Sequence, residues 1–252
     1  MSLCLVNGGT AVGIAVANWA AFRTDANFYL TMVIISALII FVGFAPSYYL
    51  KSIIHAPPPL SLLTMVHGVV FTIWMGLFVT QAALISANNV ALHRQIGMMG
   101  ALLFGAMISL GYATAIIAGH LGHAPPGSPA PLRFMALPLI SFTGTLVLVA
   151  LALHYRRRSD WHKRLMLAAM FTMTMPGTGR IAIPLGLAAQ GTWFSFACTN
   201  LLLAIAMLHD WWNDKRVHPA YWVAAGVTIA AQIGVAWAYT SETWLAFAKA
   251  IT

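Results

Sequence analysis

The chain has 252 residues, 60% of them hydrophobic and only 7% charged, with a mean hydropathy of +0.82. That balance excludes an ordinary soluble domain, which carries several times more charge. The net charge of +8 does not signal a nucleic-acid partner, because the basic residues sit in short loops between apolar runs, where they set topology and meet lipid headgroups.

Met1 to Phe22 is moderately apolar, carries Gly8, Gly9 and Gly13, and lacks the basic start of a signal peptide. It reads as an interfacial segment, 1–26, ahead of the membrane domain. A span needs about 20 mostly apolar residues. Seven stretches qualify: Asn27–Tyr49, Leu60–Ala87, Gln95–Gly119, Phe134–His154, Arg164–Ala188, Thr192–Trp211 and Pro219–Thr240. The predicted fold is an all-α integral membrane bundle of seven transmembrane helices over 27–240. In the tail, 241–252, Trp244, Leu245 and Phe247 beside Glu242 and Lys249 predict a short interfacial helix.

Loop charges give an orientation. One side of the bundle receives Arg23, Arg94, Arg156, Arg157, Arg158, Lys163, Arg164, Lys215 and Arg216; the other receives only Lys51, Arg133 and Lys249. Cytoplasmic loops carry the excess of Lys and Arg. With seven spans this places the N-terminus in the cytoplasm and the C-terminus in the periplasm of a bacterial inner membrane.

The outer loops His55-Ala56-Pro57-Pro58-Pro59 and His123-Ala124-Pro125-Pro126-Gly127-Ser128-Pro129 read as stiff, helix-terminating connections, or as a docking surface for a periplasmic partner. On the third span Gly97, Ala101, Gly105, Ser109 and Ala113 recur every four residues, a small-residue stripe that predicts a helix central in the bundle.

Ionisable residues inside spans mark functional sites. On the second span His67, Phe71, Trp74, Phe78 and Gln81 share one helical face, expected to turn toward the bundle. On the fifth, Pro176, Gly177 and Gly179 break the helix just before Arg180. Irregular backbone at membrane depth belongs inside protein or beside a cavity. Counting about 1.5 Å per residue puts Arg180 and His67 at comparable depth, toward the outer side. A guanidinium beside an imidazole suits an anion, such as a haem propionate or a substrate carboxylate.

A bis-histidine haem b needs two imidazoles on facing helices at one depth. His67 with His120 is the outer pairing, and His93 with His162 or His154 the inner one. Histidines at span ends also suit helix C-termini and headgroups, which is the structural alternative. No Asp or Glu lies mid-span, Asp210 being at the very end of the sixth, and no mid-span lysine can form a retinal Schiff base. Phosphate loops and hydrolase motifs are missing from the sequence. Met166, Met170, Met173 and Met175 do not keep one helical face and read as packing. Cys4 and Cys198 give no disulfide framework or metal-ligand spacing.

Three stretches carry a resemblance: His67-Gly68, His93-Arg94-Gln95-Ile96-Gly97, and His162-Lys163-Arg164-Leu165-Met166 leading to Arg180. Over Leu60 to Pro184 the chain resembles a broad group of bacterial multi-pass membrane proteins described only as a domain of unknown function. The pattern of that group is a His in one span, a His-Arg-x-x-Gly start to the next, and a His-[Arg/Lys]-Arg-x-Met helix ending at an arginine. The resemblance implies His67, His93, Arg94, His162 and Arg180 as site residues, while Met98 replaces the group's usual Arg after the glycine. A looser likeness to histidine-ligated membrane cytochromes b rests on architecture alone.

The expected function is electron transfer, within or beside a respiratory complex, by a protein that binds haem b or a quinone. His67 and His120 are the expected outer ligands, His93 and His162 the inner ones, and Arg180 a propionate partner. The alternatives are an accessory or assembly subunit of a larger membrane complex, and a small-anion carrier with Arg180 as its binding group.

Overall fold

In lipid a chain has to satisfy its backbone N–H and C=O groups within itself, and a sequence without strand alternation does so as helices. The computed structural model, which describes residues 8–54 and 59–252, follows that rule, with no strand among the described residues. Helix α1 (Gly8–Phe44) runs into a π-helical turn (Ala45–Tyr49) and a short α2 (Lys51–Ile54). Then come α3 (Leu62–Ser86), α4 (Val90–His120), the single turn α5 (Pro131–Phe134) and α6 (Ala136–His154). Helices α7 (Ser159–Met173) and α8 (Met175–Ala182) follow each other directly, and a 3-10 turn (Ala188–Gln190) leads into α9 (Gly191–Asp214). The chain ends with α10 (Pro219–Thr240) and α11 (Glu242–Ile251). Polar residues set several of these starts: Ser61, Asn89 and Ser241 accept the backbone N–H of Thr64, Leu92 and Trp244.

Among the described residues six helical stretches are long and apolar enough to cross a membrane: Asp25–Tyr49, Leu62–Ser86, Val90–His120, Pro131–His154, Ala188–Asp214 and Pro219–Thr240. This is the pattern of a multi-pass membrane protein. The sequence-predicted span at 164–188 is not among them. Its residues form α7, α8 and the turn that follows. The helix breaks at Thr174 into pieces of 15 and 8 residues, each too short to cross alone, and from Arg164 to Met175 every residue but Met166 is buried. A helix walled by other helices need not be apolar. Its hydroxyls are satisfied internally, Thr172 and Thr174 donating to Ala169 O and Phe171 O at 2.7 Å.

Helix α7 packs on α6 and α10, α8 on α9 and α1, and α3 lies between α1 and α4. The α1–α8 crossing is so close that a Cβ on Gly43 would stand 2.3 Å from Gly177 O. Only glycine allows two backbones to approach in this way. The small-residue stripe of α4 plays no comparable part. Gly105 and Ser109 are exposed, and the buried face of α4 is instead Phe104, Met107, Ile108, Gly111, Ala115 and Gly119. The central element is α7–α8, not α4.

The helix of α1 continues through residue 26, so the predicted boundary between an interfacial segment and the first span is not a break in the chain. The part of that segment at Met1–Asn7 lies outside the described residues, as does most of the first proline loop, His55–Pro58. At the other end α11 forms as predicted. It buries Trp244 and Ala248, and the Trp244 indole donates to Leu132 O at 2.9 Å.

Candidate functional site

The helices enclose a cavity of about 570 Å³, within the range of small-molecule sites. It is bounded by the end of α1, α3, α4, α6, the α7–α8 break, the start of α9 and Tyr239 of α10. Both His67 and Arg180 line it. The shared depth inferred from residue counting is thus accompanied by a shared space.

His67 stands on α3 above a ladder of rings. Centroid separations are 6.1 Å to Phe71, 6.4 Å from Phe71 to Trp74 and 5.2 Å from Trp74 to Phe78. Trp74 is buried, so this face does turn inward. The Nδ1 atom of His67 is buried with no hydrogen-bond partner among the described residues, an orphan that calls for a ligand or water. Beside it, Gly68 makes room for Tyr48, whose ring carbon would lie 2.3 Å from a Cβ at that position. Tyr48 Oη donates to Met65 O at 3.1 Å, and Tyr49 Oη meets Thr72 Oγ1 at 3.0 Å. The π-helical turn at the end of α1 is docked in this way against α3, next to the imidazole.

Arg180 is delivered by the helix break. Pro176, near the start of α8, has no N–H to donate. Ser195 of α9 takes up Met175 O at 3.1 Å, which knits the break to its neighbour. The Arg180 guanidinium lies 4.0 Å from the centre of the Phe44 ring, a cation–π contact, and Nη1 donates to Pro176 O at 3.0 Å. Among the described residues no carboxylate pairs with it. Among the described residues four of its five N–H donors have no hydrogen-bond partner.

The second proline loop forms part of the cavity wall. Pro125, Pro126, Gly127, Ser128 and Pro129 all line it. Gly127, at φ +76°, lies against the backbone of Ala188 and Ala189, where a Cβ would stand 2.7 Å from Ala189 N. This loop lies over the site, with Pro125, Pro126 and Gly127 still exposed on its outer side.

The predicted outer partners, His67 and His120, do not line one cavity. His120 is exposed at the end of α4 and borders a different depression, with Pro131, Leu132 and Leu245. Among the described residues His67 is the one imidazole of the large cavity. At the other end of the bundle His93 and His162 do meet, with ring centroids 6.4 Å apart and planes at 83°. His154 is exposed and packs edge-on against Tyr155. Among the described residues no group of three or more His, Cys, Asp or Glu is placed to hold a metal ion.

Sequence reasoning missed two features. Arg164, counted there as a loop charge, is buried and paired with Asp210. The aromatic wall formed by Tyr48, Trp193 and Tyr239 had no periodic signal, because its members come from three distant segments. No family model, curated protein or solved structure matches the chain.

Proposed function

We propose that the protein is a seven-span component of the bacterial cytoplasmic membrane that binds a quinone in the cavity between His67 and Arg180, and that it serves electron transfer within or beside a respiratory complex. The observation that carries this reading is the pairing of a buried imidazole nitrogen with a guanidinium, neither of them hydrogen-bonded to a side chain among the described residues, in a largely aromatic and apolar cavity. A quinone is a flat ring with a hydrogen-bond acceptor at each end, and it cycles to the quinol by taking up two electrons and two protons. His67 and Arg180 are the donors for such acceptors. Phe71, Phe142 and Trp193 offer apolar surfaces for the ring. Donors fixed before the ligand arrives stabilise the negative charge that reduction places on its oxygens.

A seventh crossing follows if α7 and α8 together form one broken span. Their combined run, at about 1.5 Å per residue, reaches the roughly 30 Å of a hydrocarbon core. The excess of basic residues on one side then supports a cytoplasmic N-terminus and a periplasmic C-terminus. Haem b at the outer cavity is less well supported, since a second imidazole is missing there among the described residues.

The unpaired Arg180 at a broken helix also favours a second reading, a carrier of small organic anions. Lipid extraction separates the two. Protein purified in mild detergent from quinone-producing cells should carry quinone, detected by mass spectrometry, and Arg180→Gln should lose it. A preparation that holds no quinone but is thermally stabilised by carboxylate anions would favour the carrier.

A further inference from the structure

His93 and His162 lie at the end of the bundle far from the cavity. Gln81, which contacts His93, is fourteen residues along α3 from His67, about 21 Å at helical rise. Each imidazole is held in the same way. His93 Nδ1 contacts Gln81 O at 3.3 Å, and His162 Nδ1 contacts Ala152 O at 2.8 Å. A carbonyl only accepts, so in both rings Nδ1 carries the proton and the lone pair is on Nε2. Neither Nε2 has a hydrogen-bond partner among the described residues.

Metal-ligating histidines are held this way, with the far nitrogen donating to a carbonyl that fixes tautomer and ring orientation. The spacing agrees as well. Two metal–nitrogen bonds of about 2.0–2.1 Å set in line, plus the reach from each nitrogen to its ring centre, add to roughly 6 Å between centroids, the most that one bridging ion allows. The observed separation is 6.4 Å. The Gln81 side-chain amide is also buried with neither end partnered among the described residues, an orphaned polar group on the residue that anchors His93. The other described histidines differ. His218 commits Nδ1 to Ala220 N–H and Nε2 to Asp160, His209 stacks on Phe28, and His120, His123 and His154 are exposed.

We infer that His93 and His162 form a bis-imidazole metal site, their two Nε2 atoms taking one late first-row transition metal ion between them. Two imidazoles suit such an ion whether it arrives bare, as copper or zinc, or as the iron of haem b. The site does not depend on what the outer cavity binds.

The test is made on the full chain, purified in mild detergent from cells supplied with a haem precursor, copper and zinc. Metal content is measured by mass spectrometry, and absorption spectra are recorded after oxidation and after dithionite reduction. Stoichiometric iron with a Soret band and reduced α and β bands identifies haem. Stoichiometric copper or zinc without those bands identifies the bare ion. Either result supports the site if His93→Gln and His162→Gln each lower the bound metal roughly tenfold or more while His154→Gln does not. Absence of stoichiometric metal, or metal retained in the double variant, overturns it. Should the variants fail to fold, wild-type protein stripped of metal is titrated with Cu+, Zn2+ and hemin, and each histidine is probed with diethylpyrocarbonate. Protection of both His93 and His162 by one of these probes supports the site, and equal labelling with and without all three overturns it.

Discussion

Arg164 of α7 and Asp210 of α9 meet in a two-pronged ion pair, Nε to Oδ2 at 2.8 Å and Nη2 to Oδ1 at 2.7 Å, with both side chains almost wholly buried. The remaining valences are used nearby. Arg164 Nη1 donates to Asp160 O at 3.0 Å, and Asp210 Oδ2 accepts the His218 backbone N–H at 3.1 Å. The pair therefore ties the base of the central helix to α9 and to the loop entering α10.

Removing one partner of such a pair leaves a buried charge unmatched. Arg164→Met or Asp210→Asn should each cost about 3–5 kcal/mol, and replacing both by apolar residues should recover much of the loss. Thermal unfolding in detergent, followed by size-exclusion chromatography, measures this. A single variant as stable as the parent would show that the pair is not needed to hold α7 to α9.

The α1–α8 crossing makes a steric prediction. A methyl group at Gly43 or Gly177 meets backbone atoms at 2.3 Å and 3.0 Å, which cannot swing aside as a side chain can. Gly43→Ala should cost at least the roughly 1–3 kcal/mol of an overpacked core, while Gly76→Ala, in open space, should be tolerated. Melting temperatures of the two variants provide the comparison.

Asp160, in the first turn of α7 and outside the apolar stretches, gives a pH dependence. Partial burial opposes its charge, but the His218 hydrogen bond, the Trp161 backbone N–H and Arg158 outweigh this and hold the carboxyl below its usual value. The folded state thus binds this proton less tightly than the unfolded chain does. Its contribution to stability is present above the unfolded value of about 3.9 and is lost as pH falls through the lower folded value. The effect should be small, because Asp160 is about half exposed and screened by solvent. Below about pH 4 the wild-type protein should lose stability more steeply than Asp160→Asn, as judged by melting temperature across an acid series.

Much of this arrangement was legible in the sequence because lipid imposes simple rules. Six helices were visible as apolar length, and His67 and Arg180 stood out because ionisable groups inside spans are rare. The inward face of α3 was visible as steps of four and three. What could not be read were features set by neighbours. The run 164–188 reads as one apolar span but folds as α7 and α8, broken at Thr174 and each too short to cross alone, and Arg164 looked like a loop charge because Asp210, its partner, is forty-six positions away. The stripe on α4 misled for the opposite reason, since small residues permit close packing without requiring it. His120 was paired with His67 because both lie toward the outer side, but position along a helix gives height and not the direction in which a side chain points.

The most direct test of the central claim is a titration of the detergent-solubilised protein with a short-chain quinone, read by quenching of tryptophan fluorescence. Trp193 lines the cavity, and Trp193→Phe assigns the signal. The account predicts saturable binding that weakens roughly tenfold or more in Arg180→Gln and in His67→Ala, each a loss of about 1.4 kcal/mol or more, with His120→Ala unchanged. Saturable binding that survives loss of both Arg180 and His67, or no saturable binding by the wild-type protein, would contradict it.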